Sequence, residues 1–440
     1  MVSEAIDFHV EPSGKLAGRL RVAGDKSISH RAVMLGSLAA GETHITGLLE
    51  GEDVLATLGA FRAMGVRAEG PDKGNLVIFG AGLHDLKPPP NALNMGNSGT
   101  AMRLMAGVLA GQAFDSELIG DASLSQRPMN RVAEPLGRMG AVIQTAQGGR
   151  PPLRIKGGQR LRGIAYQIPV ASAQVKSSLL LAGLYAEGET AVTEPAPTRD
   201  HTERMLRSFG YDVQTHGARI SLRGGGRLKG CRINVPADIS SATFFLVGAS
   251  IAPGSDLVLE HVGINPARTG VLNILKLMGA NLELLNSREL GGEPVADIRV
   301  RAAKLRGIRI PEDQVPLAID EFPAIFIVAA AASGETVLTG AQELRVKESD
   351  RIAVMAQGLK QLGIYARETP DGIIIKGGQL QGGVIDSHGD HRIAMAFAMA
   401  GLIAAGPITV RDCKNVDTSF PGFARLAQRA GLSIEVQNGR

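Results

Sequence analysis

The sequence predicts an α/β fold in which six copies of one unit are shared between two lobes, three to a lobe, around helices buried on nearly all faces. Two series of glycines and one long-range parallel predict it. In the first series an apolar, small-residue helix ends in a glycine turn that opens a strand, at Gly41, Gly111, Gly188, Gly254, Gly334 and Gly406. In the second an amphipathic helix does the same at Gly65, Gly140, Gly210, Gly279, Gly363 and Gly431. Successive members of either series lie 66 to 84 residues apart, so both report one period. The parallel joins Leu20–Ser27 to Ile233–Ser240, which each end a strand and begin an apolar helix, three repeats apart. It places the crossing between lobes at 24/25 and 235/236, with three repeats, 25–235, between the two crossings.

Each unit reads as strand, apolar helix, strand, amphipathic helix and one or two further strands. In the first copy Leu20 to Val22 is the strand, Gly24 permits a tight turn, and Ala32 to Ala40 is the apolar helix, capped by Ser27 or Ser29. The later apolar helices run from Ala101, Val175, Ala242, Phe322 and Ile393 to their glycines, each followed by a strand such as ETVLTGA or PITVRDC. Ile325 to Ala332 carries no polar residue and predicts full burial. The second helices, ending FRAMG, LGRMG, LRSFG, LKLMG, LKQLG and AQRAG, keep a polar face. Ile393 to Val410 is uncharged over 18 residues, the lower limit for a membrane span. Its Ala and Gly content, and Pro407 ending the helix after about 13 residues, predict a buried core helix instead.

Composition narrows the function. Hydrophobic residues make up 44% of 440, enough for substantial cores, and 56 glycines suit many tight turns between short elements. A net charge of +4 with four Tyr and no Trp argues against nucleic acid as a partner. Cys231 and Cys413 have no nearby Cys or His, so neither a disulfide framework nor a zinc pattern is expected. Glu4, Asp7 and Glu11 replace the apolar segment of a signal peptide, and the chain reads as soluble and cytoplasmic.

The chemistry concentrates at helix starts. Gly24–Arg31 sets Lys26, Ser27, Ser29 and Arg31 at a strand-to-helix junction, where free N–H groups and the helix dipole favour anions. The other apolar helices begin at Asn97–Thr100, Ser172–Gln174, Asp238 with Ser240, Asp320–Glu321 and Asp390–Arg392. The second helices add Arg127, Arg199, Arg268, Lys347 and Arg351. Caps alone do not require a recurring cation, so the pattern predicts a cleft between lobes holding more than one anionic group. Arg345–Arg351 interleaves three cations with Glu348 and Asp350, and a carboxylate so placed suits proton transfer. Standing alone it reads first as a solvated turn with local ion pairs; within an anion cleft it reads as the proton-transfer site. His388 and His391, with Asp386 and Asp390, lack a compact third ligand set, so no metal is expected; His30 and His201 orient their neighbours.

GDKSISHR (24–31), GNSGTAMR (96–103), SQRPM (125–129), SAQ (172–174), TRDHT (198–202), DEFP (320–323), RVKESDR (345–351) and GDHR (389–392) run in order over nearly the whole chain. In these words the chain resembles the 5-enolpyruvylshikimate-3-phosphate synthase family. The resemblance implies an inside-out α/β fold of six βαβαββ repeats, three per lobe around buried helices, with the amino-terminal strand in the second lobe. It implies transfer of the enolpyruvyl group of phosphoenolpyruvate to the 5-hydroxyl of shikimate 3-phosphate, through a tetrahedral intermediate, with release of phosphate and without a cofactor or metal.

Carried over by position, Lys26, Ser27, Arg31, Ser172, Ala173, Gln174, Arg199, Asp320 and Lys347 bind shikimate 3-phosphate. Lys26, Gly99, Arg127, Gln174, Arg351 and Arg392 bind phosphoenolpyruvate. Asp320 is the base for the hydroxyl proton, Glu348 the proton donor to carbon, and Lys26 serves either step. Thr418 stands where many members carry a Lys, so one cation is missing or supplied elsewhere. SAQ and TRDHT resemble the subclass associated with tolerance of the inhibitor glyphosate, whereas Gly99 leaves it room. The partners implied are the two small molecules, with no nucleic acid or membrane and a monomeric chain. Two rival readings are a UDP-N-acetylglucosamine enolpyruvyl transferase, whose loop Cys neither Cys231 nor Cys413 matches, and a non-catalytic repeat protein binding phosphorylated ligands.

Overall fold

The computed structural model describes residues 6–12 and 14–438; Glu4 lies outside them. Two compact units divide the chain. The first comprises Gly24–Val235 with Leu290–Glu293, and the second the described residues up to Ala23, Pro236–Glu289 and those from Pro294 onward. The chain passes from one unit to the other at 23/24 and at 235/236, within the two segments whose sequences run parallel.

The first unit holds α1 (Lys26–Leu38), α2 (Glu52–Ala63), α3 (Gly99–Ala110), α4 (Asn130–Arg138), α5 (Ala173–Gly183) and α6 (His201–Ser208). Its three described sheets have strand orders Arg232–Asn234, Ala40–Thr46, Asn75–Ala81, Arg67–Asp72; Leu93–Asn94, Ser116–Ile119, Arg150–Lys156, Val142–Ala146; and Ala165–Gln167, Glu189–Thr193, Arg219–Arg223, Val213–His216. In each, the first two strands pair in parallel and the rest antiparallel. This is what a repeated crossover followed by a hairpin produces.

The second unit holds α7 (Ile239–Ile251), α8 (Gly270–Leu277), α9 (Phe322–Ala331), α10 (Arg351–Gln361), α11 (His391–Ala400), the single turn α12 (Val416–Ser419) and α13 (Phe423–Ala430). Its sheets are Asn281–Leu290, Glu293–Arg301, Asp256–Gly263, Ala17–Leu20; Glu335–Leu338, Gly372–Lys376, Tyr365–Thr369; and Gly383–Asp386, Ile408–Arg411, Ile6–Glu11, Ser433–Asn438. In the three-stranded sheet a fourth strand is reduced to parallel bridges from Arg306 to Ser333 and from Arg309 to Val337. The amino-terminal strand Ile6–Glu11 completes the last sheet, opposite Ile408–Arg411 on one side and Ser433–Asn438 on the other.

Burial follows the pattern of the repeat. All thirteen residues of α7 are buried, and nine of the ten in α9. Pro323 stands in the first turn of α9, where its missing N–H costs no helical bond. The second helices bury one side only, as in α8, where Val271, Leu272, Ile274 and Leu275 face inward. The glycines ending them are left-handed, with φ between 77° and 118°, a conformation costly for any side chain bearing Cβ.

Three local readings differ from the sequence expectation. The strand before α1 is Ala17–Leu20, not Leu20 to Val22. α1 starts at Lys26, not Ala32, and neither serine caps it: Asp25 Oδ1 accepts from Ile28 N at 2.8 Å, while Ser29 Oγ accepts from Leu49 N at 3.0 Å. The carboxylate of Asp25, one residue before the helix, takes the cap, and Ser29 turns inward. α11 ends at Ala400, well before Pro407. Gly401, Leu402 and Ile403 donate to carbonyls three residues back, so the helix tightens into a tapering turn without needing the proline.

Candidate functional site

The helix starts of the first unit are bonded to one another. Asp25, Ser98 and Ser172 cap α1, α3 and α5. Arg103 Nη1 donates to Gln174 Oε1 at 2.6 Å, and Gln174 Nε2 to Thr100 Oγ1 at 3.0 Å, which fixes the start of α5 against that of α3. His30 is fully buried, and that burial, with Lys26 and Arg31 nearby, pushes its imidazole well below the ordinary range, so it is neutral. Thr57 Oγ1 donates to the Asp53 carbonyl and therefore accepts His30 Nδ1–H at 2.8 Å, leaving Nε2 to accept from Ser98 Oγ at 3.3 Å. The tautomer follows from the partners.

Three of the predicted cations of this unit, Lys26, Arg31 and Arg127, are held by protein groups. Lys26 forms an ion pair with Asp53. Arg31 donates through Nε to Thr202 Oγ1 at 2.6 Å, through Nη2 to Ser177 Oγ at 2.7 Å and through Nη1 to the Ser27 carbonyl at 2.9 Å. Burial pushes it down to about 10, against the pull of Glu203, and it remains a cation at neutral pH. Arg127 Nη2 donates to Asn97 Oδ1 at 2.6 Å and to Ser123 Oγ at 3.2 Å. A Cβ on Gly99 would stand 3.1 Å from Arg103 Nη1 and 3.3 Å from Arg127 Nη1, so the glycine keeps two guanidinium groups close to the helix start. Arg199 lies in the loop before α6.

In the second unit one guanidinium gathers the carboxylates. Arg351, 1% exposed, donates through Nε to Asp390 Oδ2 at 2.8 Å and through Nη2 to Glu348 Oε2 at 2.7 Å; its Nη1 is 3.6 Å from Asp320 Oδ1. Burial opposes its charge, yet Asp390 and Glu348 raise it above the usual guanidinium range. Lys347 Nζ lies 3.4 Å from Asp320 Oδ1 and 3.1 Å from Glu343 Oε1. Arg392 Nη1 donates to the Asp320 carbonyl at 2.8 Å. Asp320 is thus not the cap of α9: the cap position is Glu321, whose side chain makes no cap bond and instead accepts from Ser240. Asp390 caps α11 and Asp350 caps α10.

Sequence reading passed over several members of these networks. Asp53, Arg103, Lys176, Glu194, Glu203 and Glu321 are buried charges. Lys176 carried a signal, as the one charge early in a helix read as apolar, and Arg103 lay inside a quoted word. Glu321 stood at a noted helix start, and Asp53, Glu194 and Glu203 required the fold. A cavity of about 850 Å³ lined by Lys15, Ile251, Ala331 and Leu402 lies at the carboxyl ends of α7, α9 and α11 and includes none of the predicted residues. Among the described residues no group of three His, Cys, Asp or Glu side chains has the geometry of a metal site. No described helix is long and apolar enough to cross a membrane. Burial raises the thiol of Cys231 to about 11 and that of Cys413 further.

The family model described as EPSP synthase (3-phosphoshikimate 1-carboxyvinyltransferase) matches residues 10–426. The chain belongs to the EPSP synthase family. The 3-phosphoshikimate 1-carboxyvinyltransferase of Methylococcus capsulatus is 65% identical over 436 residues, 99% of this chain and 100% of that protein. That of Acidithiobacillus ferrooxidans is 66% identical over 429 residues, 98% of this chain and 99% of its own length. A solved structure of EPSP synthase from Acinetobacter baumannii aligns with a TM-score of 0.89 at 62% identity, covering 98% of this chain and 100% of that one. The α/β class expected from the repeats is that of the family.

Proposed function

We propose that this chain is a 3-phosphoshikimate 1-carboxyvinyltransferase. The observation that carries the chemical reading is the arrangement of two carboxylates, Asp320 and Glu348, about the one guanidinium of Arg351. Enolpyruvyl transfer needs a base and an acid whose protonation can be tuned separately. The 5-hydroxyl of shikimate 3-phosphate loses its proton to Asp320 as its oxygen bonds to C2 of phosphoenolpyruvate, and Glu348 protonates the methylene carbon to a methyl group. The tetrahedral intermediate then loses a methyl proton and phosphate, restoring the double bond. Lys26, held by Asp53, assists the proton steps.

Both substrates carry phosphate and carboxylate groups that repel, so binding them together calls for fixed cations. Lys26, Ser27, Arg31, Ser172, Ala173, Gln174, Arg199, Asp320 and Lys347 take shikimate 3-phosphate. Lys26, Gly99, Arg127, Gln174, Arg351 and Arg392 take phosphoenolpyruvate, the Arg forks matching its oxyanions. The reading includes a cytoplasmic, monomeric enzyme with no cofactor, metal or nucleic acid, made of a lobe at 25–235 and a lobe of 1–24 plus 236–440. The full-length likeness to named transferases supports it. A phosphate-release assay with both substrates tests it: release that needs both is expected, and none, or release that persists in both Lys26→Ala and Glu348→Ala, overturns the assignment.

A further inference from the structure

Lys176 lies in the first turn of α5, two residues after Gln174, and is 1% exposed. Its Nζ is 2.8 Å from Glu194 Oε2 and 2.7 Å from Glu203 Oε1, and both carboxylates are buried with it. Taking an ammonium and two carboxylates out of water is costly, and an apolar side chain would fill this buried place without that cost. The gain must lie in what the three charges hold.

They hold three separate pieces of chain. Glu194 follows the strand Glu189–Thr193 and accepts from the Thr198 hydroxyl, which fixes the loop carrying Arg199. Glu203 is on α6 beside Thr202, whose hydroxyl receives Arg31 Nε at 2.6 Å. Ser177, next to Lys176 on α5, receives Arg31 Nη2 at 2.7 Å and lies 2.7 Å from Thr202 Oγ1. One buried ammonium therefore ties the start of α5 with Ser172 and Gln174, the loop with Arg199, and α6 with the groups that aim Arg31.

We propose that Lys176 is a positioning residue for shikimate 3-phosphate, acting through Glu194 and Glu203 on Arg199, Arg31 and the start of α5. The role rests on the substrate reading above. It separates from a general structural role because Arg31, Arg199, Ser172 and Ala173, on the elements that the ammonium joins, are assigned to shikimate 3-phosphate alone, and only Gln174 among them is shared with phosphoenolpyruvate.

Lys176→Met alone leaves one buried carboxylate in excess, so the decisive variant is K176M/E203Q, which removes one charge of each sign. Far-UV circular dichroism and thermal melting establish its fold, phosphate release gives KM for each substrate, and calorimetry gives shikimate 3-phosphate binding. The expected result is a folded protein whose KM for shikimate 3-phosphate rises about tenfold or more while that for phosphoenolpyruvate changes by less than about threefold. Unchanged constants in a folded variant, or an equal rise in both, overturn the role. Glu194→Gln, which keeps the ammonium and its bond to Glu203, is the second arm. It is expected to raise the same KM about threefold, and no rise there overturns the hold on the Arg199 loop. Wild-type protein that binds no shikimate 3-phosphate overturns the substrate reading itself, whereas wild type that binds it no better than the double variant overturns the role of Lys176 alone.

Discussion

Asp390→Asn isolates a fully buried charge contact in the second unit. Asp390 is fully buried, caps α11 by accepting Arg392 N at 2.9 Å, and meets Arg351 Nε at 2.8 Å and Nη2 at 3.2 Å. Asparagine is as good a cap as aspartate, so the substitution keeps the cap through Oδ1 while it removes the charge and the Oδ2 acceptor of Arg351 Nε and Ser349 Oγ. Removing one partner of a buried pair costs about 3–5 kcal/mol, and since Glu348 and Asp320 still face the guanidinium the lower end, about 3 kcal/mol, applies. At roughly 2–4 °C per kcal/mol for a unit of this size, the melting midpoint falls by about 6–12 °C at neutral pH. Burial alone would raise the Asp390 carboxyl, but Arg351 outweighs it and holds it below its ordinary value. A depressed carboxylate stabilises the fold above its unfolded pKa of about 3.9 and loses that contribution as pH falls through the folded value. The gap between wild type and variant is therefore widest at neutral pH and closes below about pH 4. Calorimetric melting across pH measures it. A variant melting within about 2 °C of wild type at neutral pH, or a gap that does not narrow in acid, refutes the reasoning.

Glu348→Gln keeps the contact with Arg351 but removes the proton donor, and kcat should fall about 10²–10⁴-fold with smaller changes in either KM, read by phosphate release. Gly99→Ala brings a methyl group against Arg103 and Arg127; KM for phosphoenolpyruvate should rise several-fold, and inhibition by the longer glyphosate should weaken further, with equal loss of both counting against the steric account. Turnover should survive a strong chelator, and complete loss restored by a divalent ion would show a metal requirement.

The sequence carried much of this. The six-fold period was legible because each repeat spends a glycine at the end of each helix, and because helices buried on every side leave runs such as Ile325–Ala332 that no exposed helix tolerates. The helix starts marked the candidate site residues, since a cation beside a cap is more than a fold requires. Residue type and order were enough for the family as well. What they did not determine was which groups each charge faces. Asp25, not a serine, caps α1; Asp320 faces Lys347 and Arg351 instead of capping α9; and Lys176, Glu194 and Glu203 meet although the last two lie in elements separated from α5 along the chain. Periodicity reports which side of an element is buried, a property of neighbours along the chain. Pairing of buried charges depends on distances between elements far apart in sequence, and only the tertiary structure decides those.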